Sequence, residues 1–301
     1  MQYIKVLTKD LNHRDFQWKF GLNEIDVFND EQECTSDALY VCEIKDFFEW
    51  INLYGNILWV GYVTIPEDAQ TVKMMNKIKT NKVILHEPLI SIFDFVSIAV
   101  DNGADIHAKN DYALRAACNN CNLDVVECLI KNGANIHARD DSALGMASSN
   151  GHLTVVEYLI SNGANVHAGL AVPRPDRVGD DDYALRWASN NGHLPVVECL
   201  LSHGADIHIN DDNPLRWASN NGHLTVVELL IRHGANIHAH NNLALIWASQ
   251  MGHLDIVKCL IKNGADVHVE NDRALLWASQ NGNSDVVKYL RAHGAIATIV
   301  T

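Results

Sequence analysis

The chain has 301 residues and carries 37 Asp and Glu against 23 Lys and Arg, which gives a formal net charge of −14. This excess of acid disfavours nonspecific binding to nucleic acid or to anionic membranes, because both require basic patches. It is compatible with basic partners, but an acid-rich surface that keeps the chain soluble is the preferred interpretation. With 48% hydrophobic and 20% charged residues, the composition is that of a soluble folded chain rather than a disordered one.

Residues 1–80 predict a small α+β module. DALYVC (37–42) and ILWVGYVTI (57–65) are strand patterns, and IKDFFEWINLYG (44–55) is an amphipathic helix pattern. A further helix is predicted from Pro66, because proline suits a first helical turn and acids suit its positive end. The block shows no Gly-rich phosphate loop, no paired-carboxylate pattern and no Ser/His/Asp series. We therefore predict no catalytic residues and no cofactor.

The N-terminus and the cysteines bear on the compartment. MQYIKVLTKDLNHRDF lacks the apolar run of a secretory signal, and the longest apolar run, near residues 89–100, is too short to span a bilayer. Seven cysteines, an odd number without framework spacing, indicate a reducing environment. We expect a cytoplasmic protein with no signal peptide and no transmembrane segment.

A 30-residue unit dominates the rest of the chain. Near-copies occupy 111–140, 141–170, 182–211, 212–241, 242–271 and 272–301, and a degenerate copy occupies 81–110. A period of this length predicts a stack of helical units that bury their apolar faces against one another. In each full copy a leading Asp or Asn is predicted to cap a first helix, and a second amphipathic helix ends in a glycine. Another glycine ends the first helix in every full copy except 111–140.

The ends of the array and one interruption depart from the unit. In 81–110 only the second-helix half fits, with Phe93, Val96 and Val100 on its apolar positions. In the last copy Ser284 and Arg291 are polar replacements, as expected of a terminal cap. The insertion at 171–181 contains two arginines, Arg174 and Arg177, and a projecting loop of this kind is a candidate recognition element. The alternative is a tolerated insertion, since lengthening a loop costs only about 1 kcal/mol.

Two rows of histidines recur through the copies, one before the polar turn and one after the first glycine. Metal ligands must lie about 2 Å from one ion, whereas equivalent residues of stacked units lie about 10 Å apart. We therefore predict structural roles and no metal site. Cys118 and Cys121 form a CxxC, but Cys118 occupies a position that holds Ser in other copies and Cys121 replaces a helix-ending glycine, so neither redox nor zinc chemistry is predicted.

The copy LRWASNNGHLTVVELLIRHGANIHA resembles the ankyrin pattern TPLHxA followed by GHLxVVxxLLxxGADVNA. The 30-residue variety is similar to the ankyrin repeat proteins of giant amoebal viruses, and residues 1–80 resemble a module found ahead of their repeats. The resemblance implies a mainly α fold, an ankyrin solenoid of six full repeats and a degenerate first one behind the α+β module. It implies protein binding by a curved helical stack. The turn between copies is about three residues shorter than in the usual ankyrin unit, so we expect short loops.

The first helices carry the candidate binding residues. A tryptophan recurs at the sixth position and is expected to be partly buried on the concave face that the resemblance implies. Packing is the preferred explanation of this tryptophan row taken alone, whereas the variable positions beside it favour binding. The second and fifth positions are expected beside the tryptophan on the open face, and they vary between copies while the surrounding pattern does not. The candidates are Tyr183, Arg186, Trp187, Asn213, Arg216, Trp217, Leu243, Ile246, Trp247, Arg273, Leu276 and Trp277, with Arg174 and Arg177 in the insertion.

Aromatic and arginine side chains contribute most to interface energies. We therefore predict a monomeric, non-catalytic scaffold that binds a partner protein, such as a protein of the host. One alternative, implied by the viral resemblance, is an adaptor that recruits a target to host ubiquitin ligase machinery. A second alternative is an enzyme that uses the repeats for docking, against which the motif-poor N-terminal block argues.

Overall fold

The computed structural model describes residues 3–8, 12–13, 16–17, 19–24, 39–50, 57–74, 77–169 and 183–296. The chain divides into two compact units, Met1–Ala138 and Arg139–Thr301. In the described ranges no helix is long and apolar enough to cross a membrane. The insertion at 171–181, with Arg174 and Arg177, lies outside the described residues.

The first unit contains an antiparallel sheet. Its strands, together with a short separate β2–β3 pair, are β1 (Tyr3–Thr8), β2 (Asn12–His13), β3 (Phe16–Gln17), β4 (Gly21–Glu24), β5 (Leu39–Glu43), β6 (Ile57–Thr64), β7 (Thr71–Lys73), β8 (Ile78–Thr80), β9 (Lys82–Leu85) and β10 (Ile90–Ser91). The strand order is β4-β9-β6-β1-β5-β8-β7, and β10 pairs with β6. Apolar side chains from β5, β6 and β9 form one buried cluster on this sheet: Leu39, Val41, Val63, Val83 and Leu85.

The predicted strands at 37–42 and 57–65 are confirmed as β5 and β6. The predicted helix after β5 begins as a 3-10 turn (Ile44–Asp46) followed by α1 (Phe47–Trp50), and the rest of its predicted length lies outside the described residues. The helix predicted from Pro66 is wrong. Ala69 N–H donates to the Pro66 carbonyl at 3.1 Å, which closes a turn, and β7 and β8 then pair antiparallel. In β7 only the middle residue is partly buried, the two-residue period of a strand.

The sheet extends past the predicted module boundary at residue 80. Strands β9 and β10 occupy the place of a first helix in the degenerate copy, so that copy keeps only its second helix, α2 (Ile92–Asp101). Ser91 Oγ accepts from Asp94 N–H at 3.2 Å and caps α2. Val96 is buried as predicted. Phe93 and Val100 are only partly buried, because Phe95 and the residues a turn away from it lie on the deepest side of the helix.

The repeats follow as pairs of helices. The first unit has α3 (Ala108–Asn119) and α4 (Leu123–Lys131), and the second unit has α5 (Ser142–Ser149), α6 (Leu153–Ser161), α7 (Tyr183–Asn190), α8 (Leu194–Ser202), α9 (Ile209–Asn220), α10 (Leu224–Arg232), α11 (Ala239–Met251), α12 (Leu254–Lys262), α13 (Val269–Gln280) and α14 (Ser284–Ala292). In the second unit the first helices α5 to α13 contact one another in order, and the second helices α6 to α14 do the same. The interior is made of small and branched residues such as Leu215, Ala218 and Val227, none more than 1% exposed. Full burial of a Leu or Val side chain stabilises the fold by about 1.5–3 kcal/mol.

A left-handed turn leads into the first helices and corrects the predicted cap. Three consecutive residues have positive φ, for example Asn210, Asp211 and Asp212 at 49°, 55° and 54°. A residue other than glycine costs about 1–2 kcal/mol in this region, and Asn and Asp tolerate it best. This explains why the last two residues of the turn are Asn or Asp in each described copy. The prediction that the leading acid is an N-cap is wrong: the Asp141 side chain makes no capping bond.

The leading acid instead ties successive turns together. Asp212 is 4% exposed. Its Oδ1 accepts from Asn236 N–H at 2.7 Å and lies 3.1 Å from His208 Nδ1. Asn242 takes the same position in the next copy, 3.0 Å from Asp266 N and 3.1 Å from His238 Nδ1. A carboxamide oxygen therefore substitutes for the carboxylate oxygen in this role.

The second row of histidines joins neighbouring copies. His193, His223 and His253 each place Nε2 3.0 Å from a carbonyl oxygen near the end of the preceding first helix, where helical carbonyls lack intrahelical donors. The ring packs so closely that a Cβ on Gly151 would lie 2.5 Å from His193 Nδ1. Both rows thus have the structural roles predicted for them. Among the described residues no group of three or more His, Cys, Asp or Glu could hold a metal ion.

Candidate functional site

The candidate site is the partly exposed side of the first helices of the second unit, here called the first-helix face. At its centre lie the four tryptophans of the ladder, Trp187, Trp217, Trp247 and Trp277, each partly buried as predicted. The Trp217 and Trp247 rings pack with their centroids 5.4 Å apart. The ladder is thus both part of the packing and part of the surface.

The second position of each first helix lies beside the ladder. Tyr183, Asn213, Leu243 and Arg273 are all partly exposed there. The Tyr183 ring packs against Trp187 with centroids 5.8 Å apart. Arg273 forms an ion pair with Glu270, and its guanidinium lies 5.7 Å from the Trp277 ring centroid. This position therefore carries four different types of side chain at equivalent sites of the stack.

The fifth position divides into two groups. Arg186 and Leu276 are partly exposed, and the Arg186 guanidinium lies 5.6 Å and 5.5 Å from the ring centroids of Tyr183 and Trp187. Arg216 and Ile246 are only 8% and 2% exposed. Their predicted placement on the open face is wrong.

Arg216 is buried because it satisfies the left-handed turn. Its Nε donates to the Asp211 carbonyl at 3.0 Å, and its Nη2 donates to the Asn210 carbonyl at 2.6 Å. Burial lowers the pKa of the Arg216 guanidinium, and Asp211 and Asp212 act in the opposite direction. Arg115 makes the same two bonds to its own turn in the first unit. An arginine at this position thus has a structural role that the sequence did not reveal, because the turn itself was not recognised.

Of the six buried polar side-chain atoms that lack a hydrogen-bond partner among the described residues, two belong to the first-helix face. Trp187 Nε1, a donor, and Asn213 Oδ1, an acceptor, are buried without a hydrogen-bond partner among the described residues. Such atoms are uncommon in folded proteins. Both belong to residues that line the first-helix face.

Sequence reasoning missed the ninth position, which completes the face. It holds the carboxamides Asn190, Asn220, Gln250 and Gln280, three residues after each tryptophan. The i, i+3 spacing, which places both residues on one side of a helix, is the signal that could have identified them. The Asn221 side chain also donates to Asn190 Oδ1 at 2.9 Å.

A rim of carboxylates follows the turns beside this face. Asp206 and Asp266 are exposed, and the Asp211 side chain is 74% exposed and lies 3.1 Å from His240 Nε2. Glu270 accepts from Asn241 at 3.1 Å, and its pKa is lowered chiefly by the Arg273 hydrogen bond. The aromatic ladder therefore has an acidic border.

The CxxC residues have different environments. Cys118 is fully buried, and burial raises the pKa of its thiol. Cys121 is exposed with φ of 57°, at the position where other copies carry a left-handed glycine. A non-glycine residue there carries backbone strain of about 1–2 kcal/mol.

The comparisons with known proteins agree with this architecture. A family model of ankyrin repeats, in three copies, matches residues 90–169, 172–241 and 238–300. The chain is 30% identical over 132 residues to uncharacterized protein R869 of Acanthamoeba polyphaga mimivirus, covering 41% of this chain and 94% of that protein. It is 35% identical over 132 residues to the putative ankyrin repeat protein R896 of the same virus, covering 41% of this chain and 39% of that protein.

A solved structure shows the same fold. The human ASB11 ankyrin repeat domain superposes with a TM-score of 0.53 at 26% identity, covering 62% of this chain and 85% of that one. The predicted fold class, a mainly helical ankyrin stack with a small sheet module at the N-terminal end, is confirmed. The family model spans more than half of the chain. The chain belongs to the ankyrin repeat family.

Proposed function

We propose that the protein is a non-catalytic scaffold that binds a partner protein on the first-helix face of its second unit. The observation that carries this proposal is the ladder of Trp187, Trp217, Trp247 and Trp277, partly exposed beside positions that differ from copy to copy. Trp, Tyr and Arg are the residues that most often dominate binding energy at interfaces. All three occur on this face.

The frame beneath the face supports the same proposal. Buried positions such as Leu215 and Leu245 repeat the same residue in successive copies, while the second position changes from Tyr183 to Asn213, Leu243 and Arg273. A frame of packed helices is ordered before the partner arrives. Association then costs little of the ordering free energy that a flexible surface would lose.

The acidic rim supports a partner that presents basic side chains. Asp206 and Asp211 in copy 182–211, and Asp266 and Glu270 in copy 242–271, border the aromatic ladder. Complementary charge accelerates association and makes it sensitive to ionic strength. A partner segment that places Lys or Arg on this rim and apolar groups on the tryptophans fits both features.

The test is affinity capture from an amoebal lysate, since the viral relatives R869 and R896 come from an amoebal virus. The bait is the full chain, compared with a Leu243→Arg/Gln250→Lys variant of the first-helix face and a Glu67→Lys control on an exposed residue of the first unit, which makes the same change of +2 in net charge. Arg273 already stands at the position of Leu243 one copy later, so an arginine fits there. We expect the face variant to lose the captured partner and the control to keep it.

Two outcomes of the capture experiment would point elsewhere. If the face variant retains every protein that the unchanged chain captures, the first-helix face is not the binding surface. If ubiquitin ligase subunits are captured by the unchanged chain and by the face variant alike, an adaptor function through another surface replaces this proposal. The host cytoplasm is the compartment that we propose, consistent with the free thiols of the described cysteines.

A further inference from the structure

The second helices of the second unit carry an ordered gradient of charge. From their sequences, α6 and α8 each have one Glu and no base, so each has a formal charge of −1. Helix α10 has one Glu and one Arg and is neutral. Helices α12 and α14 each have one Asp and two bases, so each is +1. The series −1, −1, 0, +1, +1 changes sign about α10.

The charges at the two ends of this series are exposed and partly unpaired. Glu157 on α6 and Glu198 on α8 are exposed, and neither has an ion-pair partner among the described residues. Lys258 and Lys288 pair with Asp255 at 3.0 Å and Asp285 at 3.3 Å within their own helices. That pairing leaves Lys262 on α12 and Arg291 on α14 as cations without a carboxylate within 4 Å in the part of the chain that the structure describes.

The same helices carry a second row of residues, whose residue types are symmetric about α10, whereas the helix charges change sign there. Immediately after the charged residue in the middle of each helix stand, in order, Tyr158, Cys199, Leu229, Cys259 and Tyr289. The series reads the same in both directions about Leu229 on α10. Leu229 is buried, and the other four are partly exposed.

A groove of about 900 Å³ runs over α10, α12 and α14 beside this row. Its apolar lining includes Ile231, Cys259, Ile261 and Tyr289. Its charged lining residues are Glu228, Arg232, Asp255, Lys258 and Lys262. An apolar centre with a charged rim is the usual anatomy of a protein–protein interface.

The series of helix charges and the symmetric row of residues both fit a second copy of the same chain. A two-fold interface uses the same patch on both copies, so the patch must complement itself when it is turned around. Turning this face about α10 brings α6 opposite α14 and α8 opposite α12. Each −1 helix then meets a +1 helix, each Tyr meets a Tyr and each Cys meets a Cys. A different acidic partner would leave the negative helices α6 and α8 unmatched.

We propose that this second-helix face, formed by α6, α8, α10, α12 and α14, is a self-association surface on which a second copy of the chain docks antiparallel, with α10 on the two-fold axis. A standard interface takes about 20–30 residues from each partner, which a face five helices wide can supply. The surface is separate from the first-helix face, so either assignment can fail without the other. It departs from the expectation of a monomer.

The test is sedimentation equilibrium of the full chain at low and high salt, with charge reversals on the matched row. Glu157→Lys/Glu198→Lys makes the helix charges +1, +1, 0, +1, +1, and Lys258→Glu/Lys288→Glu makes them −1, −1, 0, −1, −1. We expect the unchanged chain to dimerise more strongly at low salt, and each double variant to weaken dimerisation by about 100-fold or more through like-charge contact. We expect the quadruple variant, which reverses the gradient, to dimerise again.

A mixture of the two double variants tests the proposal most directly. Only mixed dimers have complementary charge, so the mixture should dimerise although each variant alone does not. A bifunctional maleimide should then join Cys199 of one variant to Cys259 of the other. The control Glu67→Lys/Glu87→Lys changes the net charge by +4 on exposed residues of the first unit, as Glu157→Lys/Glu198→Lys does on the second, and it should dimerise as the unchanged chain does. A chain that stays monomeric at low salt and high concentration overturns the proposal. So does a failure of both the quadruple variant and the mixture to dimerise, if circular dichroism shows that the variants are folded.

Discussion

The two units of the chain are stabilised in different ways. In the first unit, a sheet joins strands from distant parts of the sequence, such as β4 with β9 and β5 with β8. In the second unit, each helix contacts the other helix of its own copy and the equivalent helices of the neighbouring copies, and bonds such as that of the leading acid recur from copy to copy. Stability in such a stack is approximately the sum of equal units and equal interfaces. In the second unit, the effect of a substitution in one copy can therefore be compared with the residue that stands at the equivalent position of the next copy.

The largest loss in the free energy of unfolding is expected at a glycine that has positive φ and also lies against a residue of another copy. Gly151→Ala places a Cβ 2.5 Å from His193 Nδ1 at φ of +76°, so strain and a steric clash add to about 3 kcal/mol or more. Gly163, in the same copy, has φ of +96° and nothing within 4 Å of its Cβ position, so Gly163→Ala should cost only about 1–2 kcal/mol. Urea unfolding of both variants measures the difference, and equal losses would show that the histidine contact does not matter.

The next effect concerns the buried acid of the left-handed turn. Asp212→Ala removes the acceptor of Asn236 N–H, which should cost about 1–3 kcal/mol. Asp212→Asn should be nearly neutral, because Asn242 already makes the equivalent bonds one copy later. Hydrogen exchange at Asn236 reports the bond directly. An Asn variant as unstable as the Ala variant would mean that the carboxylate charge is required.

A comparable or smaller loss is expected at Arg216. Arg216→Met keeps the apolar stem but removes the bonds to the Asn210 and Asp211 carbonyls, and we expect a loss of about 1–2 kcal/mol. Ile246 occupies the same position in the next copy without any such bonds, so the stack tolerates their absence. The control is Arg232→Met, on an exposed side chain at the end of α10, with an expected change below about 0.5 kcal/mol. If the control loses as much stability as Arg216→Met, the turn bonds of Arg216 are not its main contribution.

The smallest change is expected in the first unit, where one substitution should increase stability. Cys121→Gly places glycine where φ is 57°, which relieves about 1–2 kcal/mol of strain but increases the entropy of the unfolded chain, so the net gain should be about 0.5–1 kcal/mol. Hydrogen exchange of α3 and α4 would detect it as slower exchange in those helices. No change there would show that the strain is relieved elsewhere.

These comparisons also explain what the sequence could predict. The helices of the second unit follow from the sequence because the same spacing of Leu, Ala and Gly recurs in each copy. The left-handed turn was missed because its Asn and Asp pairs are equally typical of an N-cap, and only the backbone distinguishes the two. The burial of Arg216 followed from that turn and was missed with it.

The first unit offers no such recurrence. The strands β5 and β6 are apolar and were found, but Pro66 and the acids after it form a turn rather than a helix start. The strand that follows this turn, β7, pairs with β8, and only the tertiary structure decides that pairing. The candidate site shows the same division: the tryptophans were located from their period, whereas the carboxamides of the ninth position appear as part of the face only once the helices are in place.

The central claim is that a partner binds the first-helix face, and hydrogen exchange of the full chain with and without its captured partner tests it most directly. We expect protection of α7, α9 and α11 and of the turns that carry Asp211 and Asn241, with the second helices α8, α10 and α12 unchanged. Protection confined to the second helices, or to the sheet of the first unit, would contradict it.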